Sequence, residues 1–593
     1  MVAIIREMRC VSAPLTTALA GVITMAAALP VGLAIASGVL VGTLAGAGRS
    51  DVFAKTSFIA ALLTLGILFL LFQLLSPLAQ AIAETLGRRV DKALRVRVLA
   101  ALDRPADVAH LEEPAVADLV GSVNGSLAGT SARDAVVGMA NMGIARGGPL
   151  LGVAVLFAYR WWLAVVLFIS YSYVMLIVSR KYQQALESAE GTPAVMRRAM
   201  YLKDLASTAA GAKEVRTFGL AGWVRACYTA EFRSAISQAR GQRTSVGWVS
   251  LVSGAVVLAS EGLTFAMLAI GVMHGSLPVG AFTVFAVASA NVVTIATVTP
   301  DLLNITIGGA MVEDVRELER RTVDRGLTGA TPPPVRQAIV FEGVGFRYPG
   351  SDTWVLRHLD LTIPIGASMS VVGANGAGKT TLVKLLCGLY QPTEGRILAD
   401  GTDIREFDQK TWQRRFAALF QDWVRWGLSL RDNVLLGGPE QQWDGAAMDV
   451  IARGADLTGL LAGLPSGWDT VLSHEFDGVD LSGGQWQRVG LARALWALTG
   501  QAEVLILDEP TAALDVRGEL ELFDQLLAAA AGKSIVLISH RFSTVRHANH
   551  IVVLEDGKVR EQGSHAQLMA ADGMYAAMFT VQADRFAAEG QER

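Results

Sequence analysis

Apolar residues crowd the chain before residue 320 and thin out after it. Six runs in that first part are long enough, at roughly 20 residues each, to cross a bilayer as helices. They cover about 14–44, 56–78, 136–158, 161–178, 246–273 and 279–298. The first contains Pro30, which predicts a kink or tilt there. Although Arg6 and Arg9 precede it, the run is too long for a signal peptide, so a retained first span is expected. Segments 79–134 and 179–245 are rich in basic residues, among them Arg88, Lys92, Arg95, Arg97, Lys203, Lys213 and Arg216. The connections on the other side offer only Arg49, Lys55 and Arg160. The positive-inside rule puts both long segments in the cytoplasm, with the N-terminus and everything after the sixth run.

The pattern changes after the sixth span. Glu313 to Arg325 is charged and helical, and Thr331-Pro332-Pro333-Pro334 cannot continue a helix. Ile339-Val340-Phe341 then begins a strand. This divides the chain into 1–330, an α-helical membrane domain with six transmembrane helices, and 331–593, an α/β domain. Composition agrees: with 593 residues, 52% hydrophobic and 18% charged, and mean hydropathy +0.40, the chain is too apolar for an ordinary soluble enzyme. A net charge of −3 implies no nucleic-acid partner, and Cys10, Cys227 and Cys387 fit no metal or disulfide spacing. The excess of arginine over lysine, with abundant Ala and Gly, fits a GC-rich bacterial genome.

The second domain carries the chemistry. Gly373-Ala374-Asn375-Gly376-Ala377-Gly378-Lys379-Thr380 has the phosphate-loop form, preceded by the strand residues Val371 and Val372 and followed by a helix from Thr381. Glycines let backbone N–H groups approach phosphates, Lys379 adds a positive charge, and the Thr380 hydroxyl is placed for Mg²⁺. Val504-Leu505-Ile506-Leu507 predicts a buried parallel strand that delivers Asp508 and Glu509 to its C-terminal edge. Asp508 suits Mg²⁺, and Glu509 suits a general base beside the γ-phosphate.

These motifs, with Leu481-Ser482-Gly483-Gly484-Gln485 downstream, resemble those of the ATP-binding-cassette (ABC) family in its exporter-type, half-transporter form. The resemblance implies a P-loop NTPase cassette and assigns further roles. Tyr348 is implied to stack on adenine, and Gln421 to touch Mg²⁺ and sense the γ-phosphate. His540 is implied to contact that phosphate, and Ala512-Ala513-Leu514-Asp515 to form the D-loop. Residues Ser482, Gly483, Gly484 and Gln485 form the signature, which at a helix start makes a second anion site. In the family it meets ATP held by the partner's phosphate loop, so two cassettes sandwich two ATP molecules. The partner expected is a second copy of the chain, or a homologous half-transporter. Coupling elements are expected near Ala109–Pro114 and Ala209–Phe218.

The expected activity is ATP-driven efflux of a small amphiphilic, peptide or natural-product substrate from a bacterial cytoplasmic membrane. The alternatives are an importer on the same fold and an ABC protein that uses ATP only as a signal; Glu509 and His540 argue against the latter. No cysteine-protease domain is evident before the first span, so leader cleavage is not expected. The region Asp480 to Arg488, with Trp486 directly after the signature, resembles that of bacterial peptide and lantibiotic exporters, which tilts the cargo toward a peptide, lipopeptide or amphiphilic natural product. Two ionisable residues, Arg146 and Glu261, fall inside spans, each about 20 Å from the outer end at 1.5 Å per residue. A charge at such a place is costly unless it is paired or faces a cavity. Both are expected on the substrate pathway, approaching each other in one state.

Overall fold

The computed structural model describes residues 1–45, 56–123, 130–190, 193–297, 299–323, 329–510, 526–530 and 532–591. The chain forms two compact units. One comprises Met1–Ala101 and Ala115–Arg321; the other comprises Leu102–Pro114 and Thr322–Arg593.

Among the described residues, the first unit holds six helices long and apolar enough to cross a membrane: Val2–Ala45, Thr56–Asp103, Ala132–Tyr159, Trp161–Lys181, Gly247–Met273 and Val279–Ala296. Two boundaries differ from expectation. The break in the first helix falls at Ser12 (φ −161°, ψ 94°), and Pro30 sits within continuous helix. Pro14 explains this, since its ring clashes with the carbonyl four residues back and offers no N–H. The sixth span, expected over 279–298, does not continue as helix through Thr297. It runs as helix over Val279–Val292, tightens to a 3₁₀ turn over Val293–Ala296, and becomes extended at Thr297 (ψ 134°). A new helix, Pro300–Arg321, starts at a proline, which disfavours helical backbone in the residue before it.

Small residues let the spans approach closely, as in lipid-embedded bundles generally. A Cβ on Gly147 would lie 2.5 Å from the Ala27 Cβ, and one on Gly143 would lie 2.8 Å from Ile23 Cγ2. At the cytoplasmic ends, Arg97 reaches Glu319 at 2.7 Å and Glu7 at 3.0 Å, and Arg316 reaches Glu7 at 3.3 Å. This ties the short helix before Ser12 to the second helix and to Pro300–Arg321.

Among the described residues, the second unit contains two sheets. Strands β1 (Ala338–Phe346), β2 (Leu356–Pro364), β4 (Glu394–Ala399) and β5 (Thr402–Asp403) pair antiparallel in the order β2-β1-β4-β5. The other sheet joins β3 (Ser368–Gly373), β6 (Phe416–Leu419), β7 (Val504–Asp508), β8 (Ser534–Ile538), β9 (His550–Glu555) and β10 (Lys558–Gly563), in the order β10-β9-β3-β8-β7-β6. It is parallel except for β10. Strands β3, β7 and β8 are buried along their whole length, which is why they read as unbroken apolar runs.

The segment Leu102–Pro114 belongs to this second unit although the chain places it between the second and third spans. Val108 N donates to the Leu389 carbonyl at 3.0 Å, and Gln413 Nε2 to the Ala106 carbonyl at 2.6 Å. Lys410 Nζ donates to the Asp103 carbonyl at 2.7 Å, and the Tyr390 hydroxyl donates to Glu112. The expected second element is observed as a helix, Ala209–Thr217, within the first unit.

Candidate functional site

Strand β3 ends at Gly373, and the helix Lys379–Leu386 begins six residues later with Gly378 as its N-cap. Gly376 (φ +83°) and Gly378 (φ +98°) hold left-handed backbone that other residues strain to adopt. The turn leaves Asn375 exposed and folds Lys379 inward, 7% exposed. Its Nζ donates to the carbonyls of Gly373 and Ala374, both at 2.9 Å. Burial lowers the Lys379 pKa, opposed by the carboxylates of Glu509 and Asp508.

Parallel pairing of β7 with β8, and of β8 with β3, brings the acid pair to this loop. Asp508 Oδ2 accepts from the Thr380 hydroxyl at 2.9 Å. Glu509 stands one residue beyond the strand with φ +53°, immediately before Pro510. Such backbone in a non-glycine residue stores strain and concentrates at working sites. Its carboxylate meets His540 Nε2 at 2.8 Å and Gln421 Nε2 at 3.3 Å, and its carbonyl accepts from Gln487 Nε2 at 3.2 Å. The loop, Thr380, Gln421, Asp508, Glu509 and His540 therefore converge at the C-terminal edge of one sheet. A hydroxyl and a carboxylate in contact are hard oxygen donors of the kind Mg²⁺ takes, with phosphate oxygens completing the shell.

Burial raises the Asp508 pKa, partly offset by the Thr380 hydrogen bond. A carboxyl raised in the folded state costs stability once ionised. The cost is absent below the unfolded pKa, near about 3.9, and grows as pH rises through the folded value. Asp508→Asn is therefore expected to raise the nucleotide-free thermal midpoint at pH 7.5 by roughly 2–4 °C. The same variant should lose the further rise that ATP with Mg²⁺ gives the parent chain, measured in the same thermal scan.

Tyr348 is half-buried against the loop. Its hydroxyl lies 3.1 Å from Thr381 Oγ1, and its ring meets Phe346 and Tyr390 edge-on at 5.0 and 5.3 Å. Ser482 caps the helix Gly483–Thr499 in a reciprocal box: Gln485 N donates to Ser482 Oγ at 3.3 Å, and Ser482 N to Gln485 Oε1 at 2.9 Å. The Gln485 side chain is thus spent on the cap, while Gly483 and Gly484 open the first turn. Asp515 and the D-loop from Ala512 lie outside the described residues. Trp486 is 2% exposed, packs near Trp423 and donates to Asp480 at 3.2 Å. It is a core residue of the cassette and carries no information about cargo.

In the membrane unit, Arg146 and Glu261 are not paired with each other. Arg146 donates to the carbonyls of Thr294, at 3.0 Å, of Ile295, and of Thr297, at 2.6 Å. These carbonyls lie where the sixth span tightens and ends; that of Thr294 also accepts from Thr297 N at 3.2 Å. Glu261 accepts from the Tyr171 hydroxyl at 2.7 Å and from Ser289 Oγ at 2.9 Å, joining the fourth, fifth and sixth spans. The facing of the helices was not legible in the sequence. Tyr171, Ser289, Gln487 and Tyr390 carried no motif, and a lone hydroxyl or amide gives no signal before its neighbours are known.

Fold and site define a P-loop nucleotide-binding cassette joined to a membrane domain. Residues 356–512 match the family model described as ABC transporter. An ATP-dependent lipid A-core flippase of Chromohalobacter salexigens is 32% identical over 397 residues, 63% of each chain. Another from Cupriavidus metallidurans is 40% identical over 248 residues, 42% of this chain and 41% of that one. The cyclolysin secretion/processing ATP-binding protein CyaB of Bordetella pertussis is 39% identical over 254 residues, covering 42% and 34%. The chain thus spans between about a third and two thirds of the length of these curated relatives. A solved bacterial Atm1-family ABC exporter with ATP bound aligns over 96% of this chain and 99% of its own, at TM-score 0.80 and 23% identity. The chain carries an ABC transporter cassette fused to a membrane domain of the exporter fold, as the motifs implied. It is a multi-pass plasma-membrane protein with its cassette in the cytoplasm.

Proposed function

We propose that the chain is one half of an ATP-driven exporter that works as a dimer, with a membrane domain over 1–330 and a cassette over 331–593. The observation that carries this is the convergence of Lys379, Thr380, Gln421, Asp508, Glu509 and His540 around one phosphate loop. In this reading Tyr348 stacks on adenine. Gly373, Asn375, Gly376, Gly378, Lys379 and Thr381 line the phosphates. Thr380, Gln421 and Asp508 hold Mg²⁺, which screens charge on the β- and γ-phosphates. Glu509 accepts a proton from water as its oxygen bonds to the γ-phosphorus and the bond to the β–γ bridging oxygen breaks. ADP leaves with that oxygen, and His540 steadies Glu509 and the γ-phosphoryl oxygens. Ser482, Gly483, Gly484 and Asp515 act across the dimer, with Gln485 holding the cap.

The cargo in this reading is an amphiphile with an anionic or polar head, carried between leaflets or outward. Two matched relatives are named lipid A-core flippases, which favours a lipid-like cargo over a peptide. Arg146 and Glu261 belong to the pathway, each as part of a polar cluster at the sixth span. The direct test is ATP hydrolysis by the purified chain in lipid nanodiscs across a panel of amphiphiles, with leaflet transfer of the stimulating ones in proteoliposomes. Absence of hydrolysis sinks the proposal.

Glu261→Gln should lower stimulated transport roughly tenfold, the worth of one charged hydrogen bond. Because the two residues hold different partners, the Arg146→Glu/Glu261→Arg double variant should recover nothing. Recovery would show that they pair in another state of the cycle.

A further inference from the structure

Tyr390 lies four residues beyond the end of the helix Lys379–Leu386 that follows the phosphate loop, and is 2% exposed. Its ring meets Tyr348 edge-on, with centroids at 5.3 Å and planes at 85°, and Lys384 Nζ lies over both rings at 5.6 and 5.8 Å. Its hydroxyl donates to Glu112 in the segment Leu102–Pro114. Burial, then Glu112, hold the phenol above its ordinary pKa. The residue before it, Leu389, accepts from Val108 N of the same segment. One tyrosine therefore touches the proposed base platform on one side and the loop between the second and third spans on the other.

The geometry points to Tyr390 as a positioning residue that couples adenine stacking on Tyr348 to docking of Leu102–Pro114 through Glu112. This rests on the reading of Tyr348 as the base platform. A base stacked on Tyr348 fixes that ring, and close packing passes the restraint to Tyr390. The charge-assisted hydrogen bond then holds Glu112 and the backbone behind it. Because Leu102 and Asp103 are the last residues of the second helix, Thr56–Asp103, the cassette reports that a base is bound, and not only a triphosphate, to the chain that crosses the membrane. Coupling of this kind is reciprocal: docking of the loop tightens ATP by the same factor.

Hydrogen exchange of the full-length chain in nanodiscs tests this, in a Glu509→Gln background with Mg²⁺. ATP should slow exchange of peptides spanning 103–113 by about fivefold or more, the low end of typical coupling. Tripolyphosphate, which lacks the base, should occupy the phosphate loop, seen by competition, without slowing that exchange. Tyr390→Phe keeps the ring and removes the donor. It should bind ATP with affinity reduced by no more than that factor and lose the ATP-dependent protection; Glu112→Gln should weaken it in the same direction. Equal protection by tripolyphosphate, or full protection in Tyr390→Phe, overturns the inference. Failure of the parent chain to bind ATP at all would instead overturn the proposed function.

Discussion

Glu509→Gln is expected to lower ATP turnover by about 10²–10³-fold while leaving ATP affinity within about threefold, the pattern of a lost general base. Glutamine has the shape of glutamate and still offers His540 an acceptor where Glu509 Oε1 sits 2.8 Å from Nε2. It cannot take a proton from water. The contacts proposed to hold ATP and Mg²⁺, through Lys379 and the Thr380–Asp508 pair, do not involve the side chain changed. A dimer that binds and does not hydrolyse should accumulate closed, with nucleotide trapped. Phosphate release and retention of labelled ATP on a desalting column measure the two effects. Turnover within tenfold of the parent would show that another group activates the water. The backbone adds a second expectation. Glu509 holds φ +53°, which glycine adopts without strain, so Glu509→Gly should lose turnover just as fully yet not lower the thermal midpoint.

The cassette was legible because phosphate binding fixes residue types at contiguous positions. Glycine is needed at 376 and 378 for backbone reasons, lysine and threonine follow for charge and metal, and the buried strand β7 delivers Asp508 by its length alone. The six spans were legible for a similar reason, since bilayer thickness sets a run length. Features set by two distant segments were not. Glu112 and Tyr390 meet only once the fold is known. Arg146 and Glu261 hold different partners in this structure, and depth along a helix says nothing about facing. The unwinding at Val293–Thr297 hid in an apolar run; the Thr299-Pro300 step was its signal, and Pro14 played the same part for the break at Ser12.

Gly484→Asp is expected to act with opposite signs on stability and on turnover. Gly484 lies in the first turn of Gly483–Thr499 and is not among the residues with positive φ, so a side chain there meets no backbone strain. A carboxylate at a helix N-terminus is stabilising by about 0.3–1 kcal/mol through the helix dipole, so the thermal midpoint should hold or rise. The same charge would repel the γ-phosphate that the signature is proposed to meet. Loss of one such preorganised anion contact costs about 10²-fold or more in rate, so turnover should fall by that much. Mixing distinguishes which subunit's phosphate is met. A Gly484→Asp homodimer and a Lys379→Ala homodimer should both be nearly inactive. In a mixed dimer, the intact phosphate loop of the first chain faces the intact signature of the second. One whole site is restored, and turnover should recover well above either parent, measured on tandem-tagged mixed dimers in nanodiscs. If the signature served the phosphate loop of its own chain, every site in the mixture would stay broken, and no recovery would be seen.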